Sequence, residues 1–67
     1  MKEYREAVEK AAQSLAEAMW HEEAGCRGDA DLCRKRAARL LDGFEGGGRN
    51  PRGEAYRRAL EICAEEA

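Results

Sequence analysis

The sequence predicts an all-α fold, a single up-down-up bundle of three helices that spans residues 1–67. Alanine, glutamate and arginine dominate the composition, while threonine is absent and Val8 and Ile62 are the only β-branched residues. Such a composition favours helices. Apolar residues recur at spacings of three and four, as on one face of a helix. Glycines, Asn50 and Pro51 divide the chain into helical segments at about 2–26, 29–42 and 51–66.

The first segment carries its apolar residues on one stripe, which we expect to face the core. The stripe consists of Tyr4, Val8, Ala11, Ala12, Leu15, Met19 and Cys26. Gly28 follows as a predicted helix stop, and Asp29 is the predicted N-cap of the second helix. Because the turn between them is short, the first two helices are expected to be antiparallel neighbours.

The second and third segments are predicted to form a helical hairpin around the glycine run at positions 46–48. Asn50 is a predicted N-cap, and Pro51 occupies the first helical position, where a missing N–H has no cost. The second helix is expected to bury Ala30, Cys33, Ala37, Leu40, Leu41 and Phe44. The third is expected to bury Tyr56, Ala59, Leu60, Cys63 and Ala67. The hairpin opposes three pairs of residues: Leu40–Tyr56, Ala37–Leu60 and Cys33–Cys63.

The predicted core is thin, because alanine fills many of its positions. A chain of 67 residues is close to the lower limit for a core that is stable without help. We therefore expect a covalent staple, a metal ion or a partner to stabilise the fold.

The three cysteines, one for each helix, are predicted to meet at one end of the bundle. A disulfide between Cys33 and Cys63 would close a loop of about thirty residues and stabilise the fold by ~3–4 kcal/mol. Cys26–Cys33 is the competing pair across the short turn. Alternatively, all three thiolates bind a soft ion such as Zn²⁺, Cd²⁺, Hg²⁺ or Cu⁺, or the cysteines are small apolar side chains of the core. His21 lies about 120° from the apolar stripe, so we do not expect it to join them.

One cysteine per helix at a common end, and a glycine-containing loop that leads into Asn50 and Pro51, resemble designed three-helix bundle miniproteins with a tri-cysteine metal site. The resemblance covers the bundle in outline. It implies a trigonal thiolate site for a soft metal ion at Cys26, Cys33 and Cys63. The idealised helical sequence, with stop and cap signals at both turns, also favours an engineered origin.

The tripeptide Arg27-Gly28-Asp29 resembles the integrin-binding motif of adhesion proteins. With the flanking Cys26 and Cys33, it is similar to the cysteine-flanked loops of disintegrin-type and leech antiplatelet proteins. The resemblance implies that Arg27 pairs with a receptor carboxylate and that Asp29 ligates the receptor's divalent cation. The alternative interpretation is local: Gly28 stops one helix, Asp29 caps the next, and Arg27 is solvated near a helix C-terminus.

Trp20 is predicted to project away from the stripe of the first helix, next to Ala16 and Ala24. A large exposed aromatic residue on a small helical protein is typical of an interface anchor. The sequence therefore predicts a protein partner or a homodimer through Trp20, unless the ring folds back over the bundle end. The basic face in the middle of the chain has no aromatic residues for base stacking, so we predict no nucleic-acid partner.

The function predicted first is a non-catalytic helical scaffold or binding module with a disulfide-stabilised cysteine end. One histidine, His21, and one serine, Ser14, offer little for catalysis, so no enzyme activity is expected. The alternatives are an integrin ligand presenting residues 27–29 and a soft-metal-binding bundle. No segment predicts a membrane span or a signal peptide, so we expect a soluble protein without a membrane partner, of unknown location.

Overall fold

The computed structural model describes residues 2–66 and contains three helices. They are α1 (Lys2–Glu23), α2 (Arg27–Leu41) and α3 (Pro51–Glu66). The predicted all-α fold and three-helix bundle are confirmed. Ala67, which is expected to be buried on the third helix, lies outside the described residues.

The helices run up, down and up along α1, as predicted. Near the beginning of α1 and α3, the Tyr4 hydroxyl donates a hydrogen bond to the Glu54 carboxylate. Near the end of both helices, the Cys63 Sγ lies 3.7 Å from the Met19 Sδ. The first contact joins the N-terminal ends of α1 and α3, and the second joins their C-terminal ends. The two helices are therefore parallel, and α2, which connects them, runs in the opposite direction.

α1 lies in the middle of the molecule and packs against both α2 and α3, whereas α2 and α3 make few contacts with each other. The molecule measures 36 × 24 × 16 Å along its principal axes. The predicted close packing of α2 on α3 is wrong. The two helices contact each other little and meet mainly in the core cluster that Ala37, Leu41 and Ala55 share with α1.

Small residues on two sides of α1 allow this arrangement. Ala18 clusters with Ala30 and Cys33 of α2, whereas the carbonyl oxygen of Ala16 lies 4.0 Å from the Cys63 Sγ of α3. Two residues apart on a helix correspond to about 200° of rotation. Both alanines are buried, so this end of α1 contacts a neighbouring helix on two sides. Toward the other end, Ala37 and Leu41 of α2 and Ala55 of α3 share one core cluster with α1.

The core consists mainly of alanine. The buried apolar residues are Ala7, Ala11, Ala12, Ala16, Ala18, Ala30, Cys33, Ala37, Leu41, Ala55 and Ala59. Leu41 and Pro51 are the largest side chains that are fully buried among the described residues. On α3, Tyr56 is 54% exposed and Leu60 is 48% exposed, so their prediction as core residues is wrong. Ala55 and Ala59 take their place because they let α3 approach α1 closely.

A Schellman motif ends α1 three residues earlier than predicted. The N–H of Cys26 donates to the carbonyl of His21 at 2.7 Å, and the N–H of Gly25 donates to the carbonyl of Glu22 at 3.0 Å. This pattern requires a left-handed residue, and Gly25 supplies it with φ of +85°. Gly28 was therefore the wrong choice for the helix stop.

α2 begins at Arg27, with Cys26 as its N-cap and no side-chain capping hydrogen bond. The prediction of Asp29 as N-cap is thus wrong, because Asp29 lies in the first turn of the helix. At α3 the predicted cap is confirmed. The Asn50 Oδ1 accepts a hydrogen bond from the N–H of Gly53 at 3.2 Å, and Pro51 is the first helical residue.

Candidate functional site

The three cysteines do not meet, and all three are free thiols. Cys33 is buried, and its Sγ lies 4.0 Å from the Glu17 Oε2 at the interface of α1 with α2. Cys63 is half-buried against α1 from the other side, next to Met19. The predicted Cys33–Cys63 disulfide is therefore wrong, because α1 stands between the two thiols. The same separation leaves no trigonal site for Cys26, Cys33 and Cys63.

Arg27-Gly28-Asp29 forms the first turn of α2 rather than an exposed loop. All three residues are exposed. The integrin resemblance requires the charged groups on opposite sides of a tight, extended turn, and the helical backbone does not present them in that way. Integrin binding remains a prediction from the tripeptide.

The side chains of His21, Cys26 and Asp29 lie together at the junction of α1 and α2. Each offers one ligand atom, and these three atoms all lie within 4.8 Å of one another. His21 is half-buried, whereas Cys26 and Asp29 are exposed. The expectation that His21 lies apart from the cysteines is wrong for Cys26, because the chain reversal at Gly25 returns Cys26 to the last turn of α1.

Trp20 is 42% exposed and lies beside a shallow depression between α1 and α3. Ile62 and the carboxylates of Glu17 and Glu65 also line this depression. The indole thus covers part of the α1/α3 interface with one side and faces solvent with the other. Both sequence interpretations, interface anchor and bundle cover, describe part of this placement, and the predicted partner remains a prediction.

An open groove separates α2 from α3 on one face of the molecule. Its floor is Leu15 of α1, and its walls are Ala37, Ala38 and Leu41 of α2 and Tyr56 of α3. Leu60 lies one helical turn beyond Tyr56 and, at a spacing of four residues, faces the same side of α3. The groove exists because α2 and α3 contact each other far less than each contacts α1.

Two arginines border the groove, Arg34 from α2 and Arg52 from α3. Arg34 forms an ion pair with Glu22, and the Arg52 Nε lies 3.0 Å from the Glu45 Oε1. These ion pairs are exposed at the surface, and such pairs contribute only about 0–1 kcal/mol. Both guanidinium groups can therefore still donate hydrogen bonds to a second carboxylate, supplied by a ligand.

The opposite side of α3 is fixed to α1 by charged groups. The Arg58 Nε lies 3.0 Å from the Glu9 Oε2, and its Nη1 lies 3.3 Å from Glu61 and 3.6 Å from Glu65. These carboxylates, Glu9 first, raise the pKa of Arg58 above its ordinary value. At the beginning of α3, the hydrogen bond to Glu54 raises the pKa of the Tyr4 hydroxyl.

Sequence reasoning missed the groove because it assigned Tyr56 and Leu60 to the core. A signal was available in the spacing of Ala55, Ala59 and Ile62, which forms a second helical stripe on α3. The buried or half-buried state of these three residues shows that α3 uses this stripe. The prediction assigned the larger side chains of Tyr56 and Leu60 to the core, whereas the small side chains of Ala55 and Ala59 are the buried ones.

Within residues 2–66, no helix combines the length and the apolar character needed to cross a bilayer. Ser14 is buried, and its hydroxyl donates to the Cys33 carbonyl at 2.8 Å.

Comparison of the chain with protein-family models, with curated proteins and with solved structures found no match.

Proposed function

We propose that this protein is a helical binding module that docks an amphipathic helix with acidic flanks in the groove between α2 and α3. The observation that carries the proposal is the exposure of Tyr56 beside the groove floor at Leu15. A helix-in-groove complex uses anchors at spacings of three, four and seven residues. Aromatic residues such as Tyr56 are typical of the energetic centre of such interfaces.

The shape of the groove favours a row of side chains over a small molecule. Its volume is about 250 Å³, below the ~300–1,000 Å³ of cavities that enclose small ligands. It is also open along its length, so a bound small molecule would keep much of its surface in water. A helix laid along the groove would cover Leu15 and Tyr56 together.

The charges at the rim favour an acidic partner. Arg34 and Arg52 stand on opposite walls, so carboxylates on both flanks of a docked helix would each meet a guanidinium group. A second copy of this chain is a poorer occupant. In a two-fold dimer that joins two grooves, the same basic rims would face each other.

The test uses two synthetic helical peptides with the same leucine face, one flanked by glutamate and one by lysine. Fluorescence anisotropy should detect binding of the glutamate peptide, weakened by salt and by Tyr56→Ala. Leu32→Ala is the matched control, because Leu32 is exposed on α2 but does not line the groove. Equal binding of both peptides, or an unchanged affinity in Tyr56→Ala, would contradict the proposal.

Sedimentation equilibrium of the unliganded protein distinguishes the other occupant. A concentration-dependent dimer that Tyr56→Ala abolishes would replace the helical peptide with a second copy. A dimer that Trp20→Ala abolishes would instead support the predicted interface at Trp20. Neither integrin binding nor an engineered origin contributes to this proposal.

A further inference from the structure

The junction between α1 and α2 holds three different metal-ligating side chains on a defined backbone. The hydrogen bond from the Cys26 N–H to the His21 carbonyl, at 2.7 Å, closes the end of α1. The carbonyl of Cys26 then accepts the first hydrogen bond of α2, from Ala30 at 3.0 Å. Cys26 is therefore fixed by both helices, and its distance from the backbone of His21 is set by the Schellman motif.

Asp29 is positioned toward the same point by the first turn of α2. It occupies the third helical position after the N-cap Cys26, from which side chains reach back toward the N-cap. The N–H of the N-cap residue Cys26 already donates to the His21 carbonyl, so the Asp29 carboxylate does not cap that N–H. The backbone thus places a thiol, an imidazole and a carboxylate around one point.

The three donor types are those that bind Zn²⁺ in proteins, at about 2.0–2.1 Å from nitrogen, 2.0–2.2 Å from oxygen and 2.3 Å from sulfur. Two ligand atoms at these distances in a tetrahedron lie about 3.3–3.7 Å apart. The ligand atoms of His21, Cys26 and Asp29 are all within 4.8 Å of one another. Rotation of the exposed side chains of Cys26 and Asp29 closes the difference without moving the helices.

We propose that His21, Cys26 and Asp29, brought together across the α1–α2 turn, form a binding site for Zn²⁺ or a similar borderline-soft divalent ion. Water completes the tetrahedron, because three protein ligands leave the fourth position open to solvent. On binding, a bond forms between the metal and the Cys26 sulfur, the S–H bond breaks, and the proton passes to solvent. Cys33 and Cys63 take no part.

This site is independent of the groove between α2 and α3, since none of its ligands lines that groove. It differs from the trigonal thiolate site predicted from the sequence in two of its three ligands. It also has a structural consequence. A metal ion bound by residues of both helices would tie the last turn of α1 to the first turn of α2, and would stabilise the folded state by mass action.

The experiment titrates the reduced protein with Co²⁺, which reports thiolate ligation through a charge-transfer absorption, and then displaces it with Zn²⁺. We expect one ion per chain. Cys26→Ser should abolish the charge-transfer band. His21→Gln and Asp29→Asn should each weaken binding at least about tenfold, the smallest loss typical of disturbing even the outer shell of a metal site. Cys63→Ser is the matched control and should bind Co²⁺ like the original protein.

A second measurement separates binding from folding. Added Zn²⁺ should raise the Tm of the original protein and of Cys63→Ser, but not that of His21→Gln, whose circular dichroism should remain helical. The proposal is overturned if Co²⁺ gives no charge-transfer band at stoichiometric concentration. It is equally overturned if the band survives in Cys26→Ser, or if it requires Cys63.

Discussion

The two interfaces of α1 are built from different interactions. Toward α2, the contact is apolar and buried. Ala18, Ala30 and Cys33 form one cluster, and the Ser14 hydroxyl donates to the Cys33 carbonyl at 2.8 Å in the interior. Toward α3, the buried residues are Ala55 and Ala59. Both interfaces carry an exposed ion pair at the outer margin, Arg34–Glu22 for α2 and Arg58–Glu9 for α3.

The connection between α1 and α2 also differs from the connection between α2 and α3. α2 follows α1 after a tight turn that a Schellman motif fixes through Gly25. α3 follows α2 after a longer segment in which Gly43, Gly46, Gly47 and Gly48 all have positive φ. The comparison teaches that a short, fixed turn holds α2 against α1, whereas α3 is joined by a longer, glycine-rich segment and forms one wall of the groove.

The largest expected effect separates the buried core from the groove. Leu41 is 1% exposed and Leu60 is 48% exposed, so Leu41→Ala removes a buried side chain and Leu60→Ala a half-exposed one. We expect Leu41→Ala to lower the free energy of unfolding by about 2–5 kcal/mol, enough to unfold most of a domain this small. Leu60→Ala should cost less than about 1 kcal/mol. Urea unfolding followed by circular dichroism measures both, and equal losses would contradict the exposed position of Leu60.

A smaller effect tests the charged margin of α3. Arg58→Gln should lower the Tm at low salt, because it removes the contacts with Glu9, Glu61 and Glu65. At 1 M salt the Debye length is about 3 Å, so the difference from the original protein should nearly vanish. Lys35→Gln is the control, since Lys35 pairs with Asp31 of its own helix. A loss of the same size at both salt concentrations would mean that Arg58 acts through packing and not through charge.

The smallest effect is a titration. The hydrogen bond to Glu54 raises the pKa of Tyr4 above its ordinary value, so Glu54→Gln should return that pKa toward the ordinary value. In a Tyr56→Phe background Tyr4 is the remaining tyrosine, and ultraviolet absorbance follows its ionisation directly. Because the folded-state pKa is raised, this contact stabilises the fold below the unfolded pKa, and its contribution is lost as pH rises through the folded pKa. An unchanged titration in Glu54→Gln would show that Tyr4 does not make this contact in solution.

The sequence by itself determined the fold class, the number of helices and the start of α3. Helical spacing and composition carry the first two, and the third depends on Asn50 and Pro51, whose preferences act locally. The end of α1 was also encoded locally, at Gly25, but Gly28 offered a competing signal. Only the hydrogen bonds that the folded chain forms distinguish the two glycines.

Tertiary structure alone decided which faces meet, and with them the candidate sites. An apolar stripe predicts one buried face per helix, but Ala16 and Ala18 give α1 two. Because small residues let α2 and α3 each approach α1 closely, α2 and α3 contact each other little. The thiols of Cys33 and Cys63 are therefore separated, and Tyr56 is exposed in a groove. The positions of the alanines do not reveal which helix face is buried, because alanine is only weakly hydrophobic. Its contribution to the fold is to let a neighbouring helix approach closely.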